Sequence, residues 1–307
     1  MKRKYEFTDE TMELCGTTLH RIKATIDFND VKAGDLGGWI ENEDNLSHYG
    51  NAWVYNDARV FGNALVYDDA QVYDDALVHG NARVYGKAEI YGNTWVHGNA
   101  QVYGNARIYG NAWVYGNAWV SDNAWVYGDA KIYGNAWVHY DARVYGNAEI
   151  YGDARVLGKA EIYDNARVYG NAWVYNDARV YGYARAYGNA WVHYEARIYD
   201  NARVFGNAEV GGDALVYDGA KIYGNARMHG NAQAGGNALV YGNTLVYGNA
   251  LVHGNARVYG NAEIYGNTWV YGNAWVYDNA RVYDNAWVYG NARVYGYARV
   301  YDNAQRI

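Results

Sequence analysis

Cysteine, serine and long apolar runs are scarce in this 307-residue chain. A single cysteine, Cys15, excludes an intramolecular disulfide framework and suits a reducing compartment. Serine stands only at Ser47 and Ser121, so a serine nucleophile has almost no candidates. The basic start, Met1-Lys2-Arg3-Lys4, leads into no apolar stretch, which argues against a secretory signal. No stretch approaches the length of a membrane-spanning helix, and a cytoplasmic protein is the expectation. The 26 basic and 33 acidic residues are interspersed, leaving no basic stripe for nucleic acid and no acidic tail. Phenylalanine is scarce too, 4 residues against 36 tyrosines, and a packed core prefers rings without a polar handle. Most tyrosines are therefore expected at the surface.

What is present is a period. From Ala52 to Ala304 the chain repeats Ala-x-Val-Tyr-Gly-Asn every six residues without insertion or deletion. The small position is Ala except at Thr94, Thr244 and Thr268, and the aliphatic position is Val or Ile except at Ala186, Met228 and Ala234. A short fixed period marks stacked units, none of which can bury its face alone. Alternation within a unit predicts a short strand: in Ala112-Trp113-Val114-Tyr115, Ala and Val share one face, Trp and Tyr the other. Gly116-Asn117 then makes a corner, because Gly and Asn tolerate positive φ. A period of six does not keep one face of a 3.6-residue turn aligned, so helix is excluded. Three strands and three corners give an 18-residue triangular coil, and the repeat is long enough for about 14 of them.

An aliphatic residue followed four places later by a small one, every six residues, resembles the hexapeptide-repeat family of left-handed parallel β-helices. The resemblance covers about 250 of the 307 residues and implies an all-β, three-sided solenoid of left-handed winding. The Tyr after the aliphatic residue departs from that family's usual Gly, Ala or acidic residue. Residues 1–50 break the repeat; Tyr5-Glu6-Phe7-Thr8 and Thr18 to Phe28 read as strands of a β-rich cap, with residues 51–307 forming the solenoid. At the other end Arg306 falls at the inward phase, which charges the last edge without covering it. The whole chain resembles uncharacterised bacterial and prophage proteins of Gly-Asn-Ala-x-Val-Tyr repeats. They share an opening similar to Leu19-His20-Arg21-Ile22, Gly34-Asp35-Leu36-Gly37-Gly38-Trp39-Ile40 and Asn45-Leu46-Ser47.

Residues 18 apart should stack in register on one face. Tyr91, Tyr109, Tyr127 and Tyr145 then fall in one line, and Trp95 with Trp113, Trp119 with Trp137 and Trp173 with Trp191 form adjacent pairs. Glu89 meets Arg107 in the next coil. Such strips either hold coils together or serve as a binding surface, since Tyr, Trp and Arg are enriched at interfaces and their rings also stack on sugars. The reading that follows is a non-enzymatic rigid scaffold whose partner is a protein, self or other, met through the aromatic faces or the uncapped C-terminal coil. Glycan binding by a phage or surface component, and a place in a virion, stay open. No cofactor, nucleic acid or membrane is implied.

The enzymatic alternative is a trimeric acyltransferase of the hexapeptide type, with a His base in a cleft between subunits. His79, His97, His139, His193, His229 and His253 all stand in the outer Tyr phase, and only His79 and His97 are 18 apart. That pair is a weak metal candidate; the plainer expectation is that each His replaces a Tyr on an exposed ladder. Asp57 and Asp75 share a corner and form a weak calcium candidate, although corner aspartates are usually turn residues.

Overall fold

A computed structural model describes residues 3–302 and 304–306; the side chain of Arg306 lies outside the described residues. The chain divides into two compact units, Met1–Gly152 and Asp153–Ile307. Both are parallel β-solenoids built of three-sided, 18-residue coils, and the protein is all-β. Among the described residues one 3-10 turn, Glu43–Asn45, is the nearest approach to a helix, and no helix is long and apolar enough to cross a membrane.

In the first unit, strand β1 (Tyr5–Leu14) pairs antiparallel with β2 (Thr17–Ala24), and β2 pairs antiparallel with β3 (Leu36–Ile40). β3 then turns its other edge to the repeat, parallel and in register, with Trp39 opposite Arg59 and Ile40 opposite Val60. Coil register therefore begins before the repeat is visible in the sequence. Gly37 and Gly38 make this junction possible. A Cβ at Gly37 would stand 2.6 Å from Ile22 and Trp53 side-chain atoms, and one at Gly38 would stand 2.5 Å from the Ala58 carbonyl oxygen. Asn45 fastens the same junction: its amide donates to the Gly62 and Ala64 carbonyls at 2.9 Å, and its oxygen accepts from the Glu41 and Asn42 amides.

These strands cover an aromatic residue that the period places outside. Trp53 is 1% exposed, with Tyr5 and Phe28 edge-on to its ring. Tyr5 stacks on His48 and donates to the Leu46 carbonyl at 2.9 Å, while the buried Lys4 ammonium donates to the Ala52 carbonyl at 2.7 Å.

Within each unit the repeat is expressed coil by coil. The amides of Trp95, His97 and Asn99 donate to the carbonyls of Ala112, Val114 and Gly116, and the same pattern recurs in the second unit. The Ala and Val/Ile columns face inward and are buried, except that Ala298 is exposed and Ala304 half-buried in the last coil. Where Thr replaces Ala, its hydroxyl returns to a carbonyl three residues back, Thr94 to Tyr91 and Thr244 to Tyr241, so a polar group is buried without an orphan. Met228 and Ala234, the large and small exceptions, stand six residues apart on successive sides of one coil, which conserves core volume.

Corners are held by two devices. Asn side chains at one corner donate to the Asn 18 residues on, as in Asn81 to Asn99 and Asn99 to Asn117 at 2.9 Å, or Asn189 to Asn207 in the second unit. Asp accepts but cannot donate, so Asn111 to Asp129 and Asn123 to Asp141 end such runs. The preceding position has positive φ throughout, +71° at Gly116. At several corners where Asp takes that place, its carboxylate accepts from the corner amide of the next coil: Asp68 from Gly86, Asp74 from Gly92, Asp218 from Gly236. A left-handed conformation that would penalise most side chains is offset there by one hydrogen bond.

Candidate functional site: aromatic ladders and their gaps

Because strands in neighbouring coils are about 4.8 Å apart, most outward rings 18 residues apart fall into parallel, offset stacks, with Tyr73 and Tyr91 edge-on as an exception. In the first unit Tyr91, Tyr109, Tyr127 and Tyr145 stack with centroids 5.2, 4.9 and 4.8 Å apart and planes within 7°. Trp95 lies on Trp113 and Trp119 on Trp137, both at 4.9 Å. Trp173 lies on Trp191 in the second unit at 5.7 Å. Trp95 and Trp113 are 39% and 36% exposed, and Trp191 is 46% exposed. Stacking hides ring faces and leaves edges, indole N–H groups and phenol hydroxyls outward. Cations lie over indole rings: Lys131 over Trp113, Arg107 over Trp125, Arg155 over Trp173. Glu89 and Arg107 meet as an ion pair at 3.0 Å. Burial pushes the ladder phenols up, as at Tyr91, Tyr109, Tyr181 and Tyr199.

His79 and His97 replace Tyr in such a stack, between Phe61 and Tyr115, with planes 5° apart. Their rings lie flat on one another, and burial lowers both pKa values. Asp57 and Asp75 are exposed; Asp75 turns to Arg59 at 3.6 Å.

Four ladder positions carry no ring, Ser121, Leu157, Gly211 and Gly235, and at three of them the stack opens a slot or a neighbouring ring leans across. At Ser121 it leaves a slot lined by Tyr103, Trp119, Trp137, His139 and Asp122. At Gly235 the Tyr217 ring leans across and reaches 6.1 Å from His253. At Gly211 the ring that leans across is His193, its Cε1 and Nε2 only 2.5 and 2.7 Å from where a Cβ would stand. His193 is 5% exposed, so the expectation that every outer His rides on an exposed ladder fails here, because the missing ring at 211 opens a place for it. Tyr175 stacks behind it at 5.1 Å. His193 Nε2 is 3.1 Å from Glu209 Oε1, and His229 Nε2 approaches the same oxygen at 3.6 Å. The other carboxylate oxygen faces Arg227 Nε at 3.4 Å. Burial lowers the His229 pKa against the pull of Glu209, which favours neutral imidazole. Among the described residues this is the one group of three His, Cys, Asp or Glu side chains whose ligand atoms all lie within 4.8 Å of one another.

A family model described as the YdcK beta solenoid repeat matches eight stretches: 58–73, 70–86, 100–116, 160–176, 196–212, 256–272, 274–290 and 286–302. This is a repeat β-solenoid protein. Over 66 residues this chain is 39% identical to the uncharacterized acetyltransferase YdcK of Escherichia coli (strain K12), a match covering 19% of this chain and 20% of that one. The match thus spans about a fifth of the length of that curated relative.

Proposed function

We propose that this chain is a rigid, non-enzymatic scaffold that binds a protein partner through the aromatic ladders of its outer faces. The observation that carries this reading is the exposed Trp95–Trp113 stack, rings parallel to within 3° and edges outward. A pyranose needs a ring face, which stacking covers; a flat protein surface uses edges, hydroxyls and guanidinium groups. Tryptophan, tyrosine and arginine dominate the energetics of such contacts. Rings already fixed by the coil spacing lose little conformational entropy on binding. Acetyl transfer, named for the relative, is a separate reading that an acetyl-CoA turnover assay addresses.

One feature favours a glycan instead, the Ser121 slot, where Tyr103 and His139 stand on either side of a missing ring above Trp119 and Trp137. The test is affinity recovery from the native host with wild type and with Trp95→Ser/Trp113→Ser. One protein, a second copy of this chain included, is expected at near-stoichiometric yield with wild type and to be lost with the variant. Identical recovery from both overturns the reading. So does a sugar-array signal that disappears in Trp119→Ala/Trp137→Ala, which moves the function to the slot.

A further inference from the structure

We propose that His193, Glu209 and His229 form a site for one divalent transition-metal ion, zinc by preference, with a coordination position left open toward solvent.

The ladder itself shows why the site exists only here. Residues 36 apart are separated by two coil spacings, about 9.6 Å, too far to share one ion. With no ring at Gly211, His193 leans over the intervening coil and comes within 5.7 Å of His229, centroid to centroid. Glu209 stands two residues before Gly211 on the same outward face, so its carboxylate reaches both imidazoles. Ligands about 2.1 Å from a tetrahedral zinc are about 3.4 Å from one another. The separations of 3.1 and 3.6 Å from the Glu209 oxygen to the two Nε2 atoms bracket that value.

Donor chemistry narrows the ion. Two imidazoles and one carboxylate suit zinc and its first-row neighbours, whereas calcium and magnesium take oxygen ligands. Three protein ligands, two of them half-exposed, leave the fourth position to water or a small anion, the pattern of reactive rather than structural zinc sites. The Gly235 gap is the natural comparison, since there Tyr217 and His253 close in without a carboxylate between them.

The test uses tag-free, full-length protein, stripped with chelator and titrated with Co(II), then with Zn(II). One equivalent of Co(II) should give the visible absorption of a four- or five-coordinate ion, and one equivalent of Zn(II) should abolish it. Glu209→Gln and His229→Gln remove ligands and should weaken binding by about 100-fold or more, the upper end of what loss of an outer-shell partner costs. Gly211→Ala should do the same by excluding His193, while His253→Gln should bind like wild type. His229 is half-exposed, so that variant keeps its fold even where Gly211→Ala does not. The proposal is overturned by absent Co(II) absorption, or by binding that survives both Glu209→Gln and His229→Gln.

Discussion

Gly116→Val is expected to destabilise the first unit by about 3 kcal/mol, whereas Gly116→Asp should cost less than about 1 kcal/mol. The difference follows from the corner geometry. Gly116 has φ +71°, and a Cβ there would meet the Gly134 amide nitrogen at 3.0 Å and its carbonyl oxygen at 3.1 Å. Valine adds branching to a left-handed conformation it rarely adopts, and the obstacle is backbone, which cannot swing aside. Aspartate meets the same crowding, but its carboxylate can accept the amide of the next coil, as Asp68 does from Gly86 and Asp74 from Gly92. Urea unfolding followed by far-ultraviolet dichroism measures both. Equal losses for the two variants would show that the Asp hydrogen bond contributes nothing and that the corner account is wrong.

Alkali should unfold the protein steeply. Ladder tyrosines such as Tyr85, Tyr115, Tyr187 and Tyr223 are held above the ordinary phenol value, first by burial and then by neighbouring phenols or carboxylates. A raised folded-state pKa means that the unfolded chain releases its protons first. Stability from these groups is complete below pH of about 10 and is lost as pH climbs toward the folded values. These phenols are only partly shielded, so solvent screening keeps each contribution small and the effect comes from many acting together. Lys4 acts in a lower window: burial brings it down to about 8, so its penalty fades between there and its ordinary value of 10.5. Phenolate absorbance and strand dichroism, recorded together, should change in one transition above pH of about 10. Gradual ionisation with the strand signal intact would mean that the rings are far less shielded than their stacking implies.

Much of this was legible before any coordinates, because a period without insertions transmits register from one residue to all its equivalents. The inward Ala and Val columns, the Tyr91 to Tyr145 ladder and the Glu89–Arg107 pair follow from counting in eighteens. What counting missed depends on something other than the period. Trp53 reads as an outer residue, but it lies beneath strands whose pairing is antiparallel and nonrepetitive. Asp75 reads as half of a carboxylate pair, but Arg59 on the same face takes it. His193 and His229, 36 apart, do not read as neighbours, because counting in eighteens treats Gly211 as an occupied place. The available signal was the column itself: His, Gly, His in a line of tyrosines, with Glu209 beside the gap.

Every site discussed above requires that residues 18 apart lie side by side. The most direct test places cysteines at Asn99 and Asn117 in a Cys15→Ser background, with Asn99→Cys/Asn105→Cys as the comparison. The two amides at 99 and 117 are hydrogen-bonded at 2.9 Å. Their coil spacing of about 4.8 Å lies within the Cα separation that a disulfide spans. Mild oxidation should close the 99–117 pair almost completely in the folded protein and leave the 99–105 pair, on successive corners, as free thiols. Closure of the second pair rather than the first would contradict the 18-residue coil, and with it the ladders and the metal site.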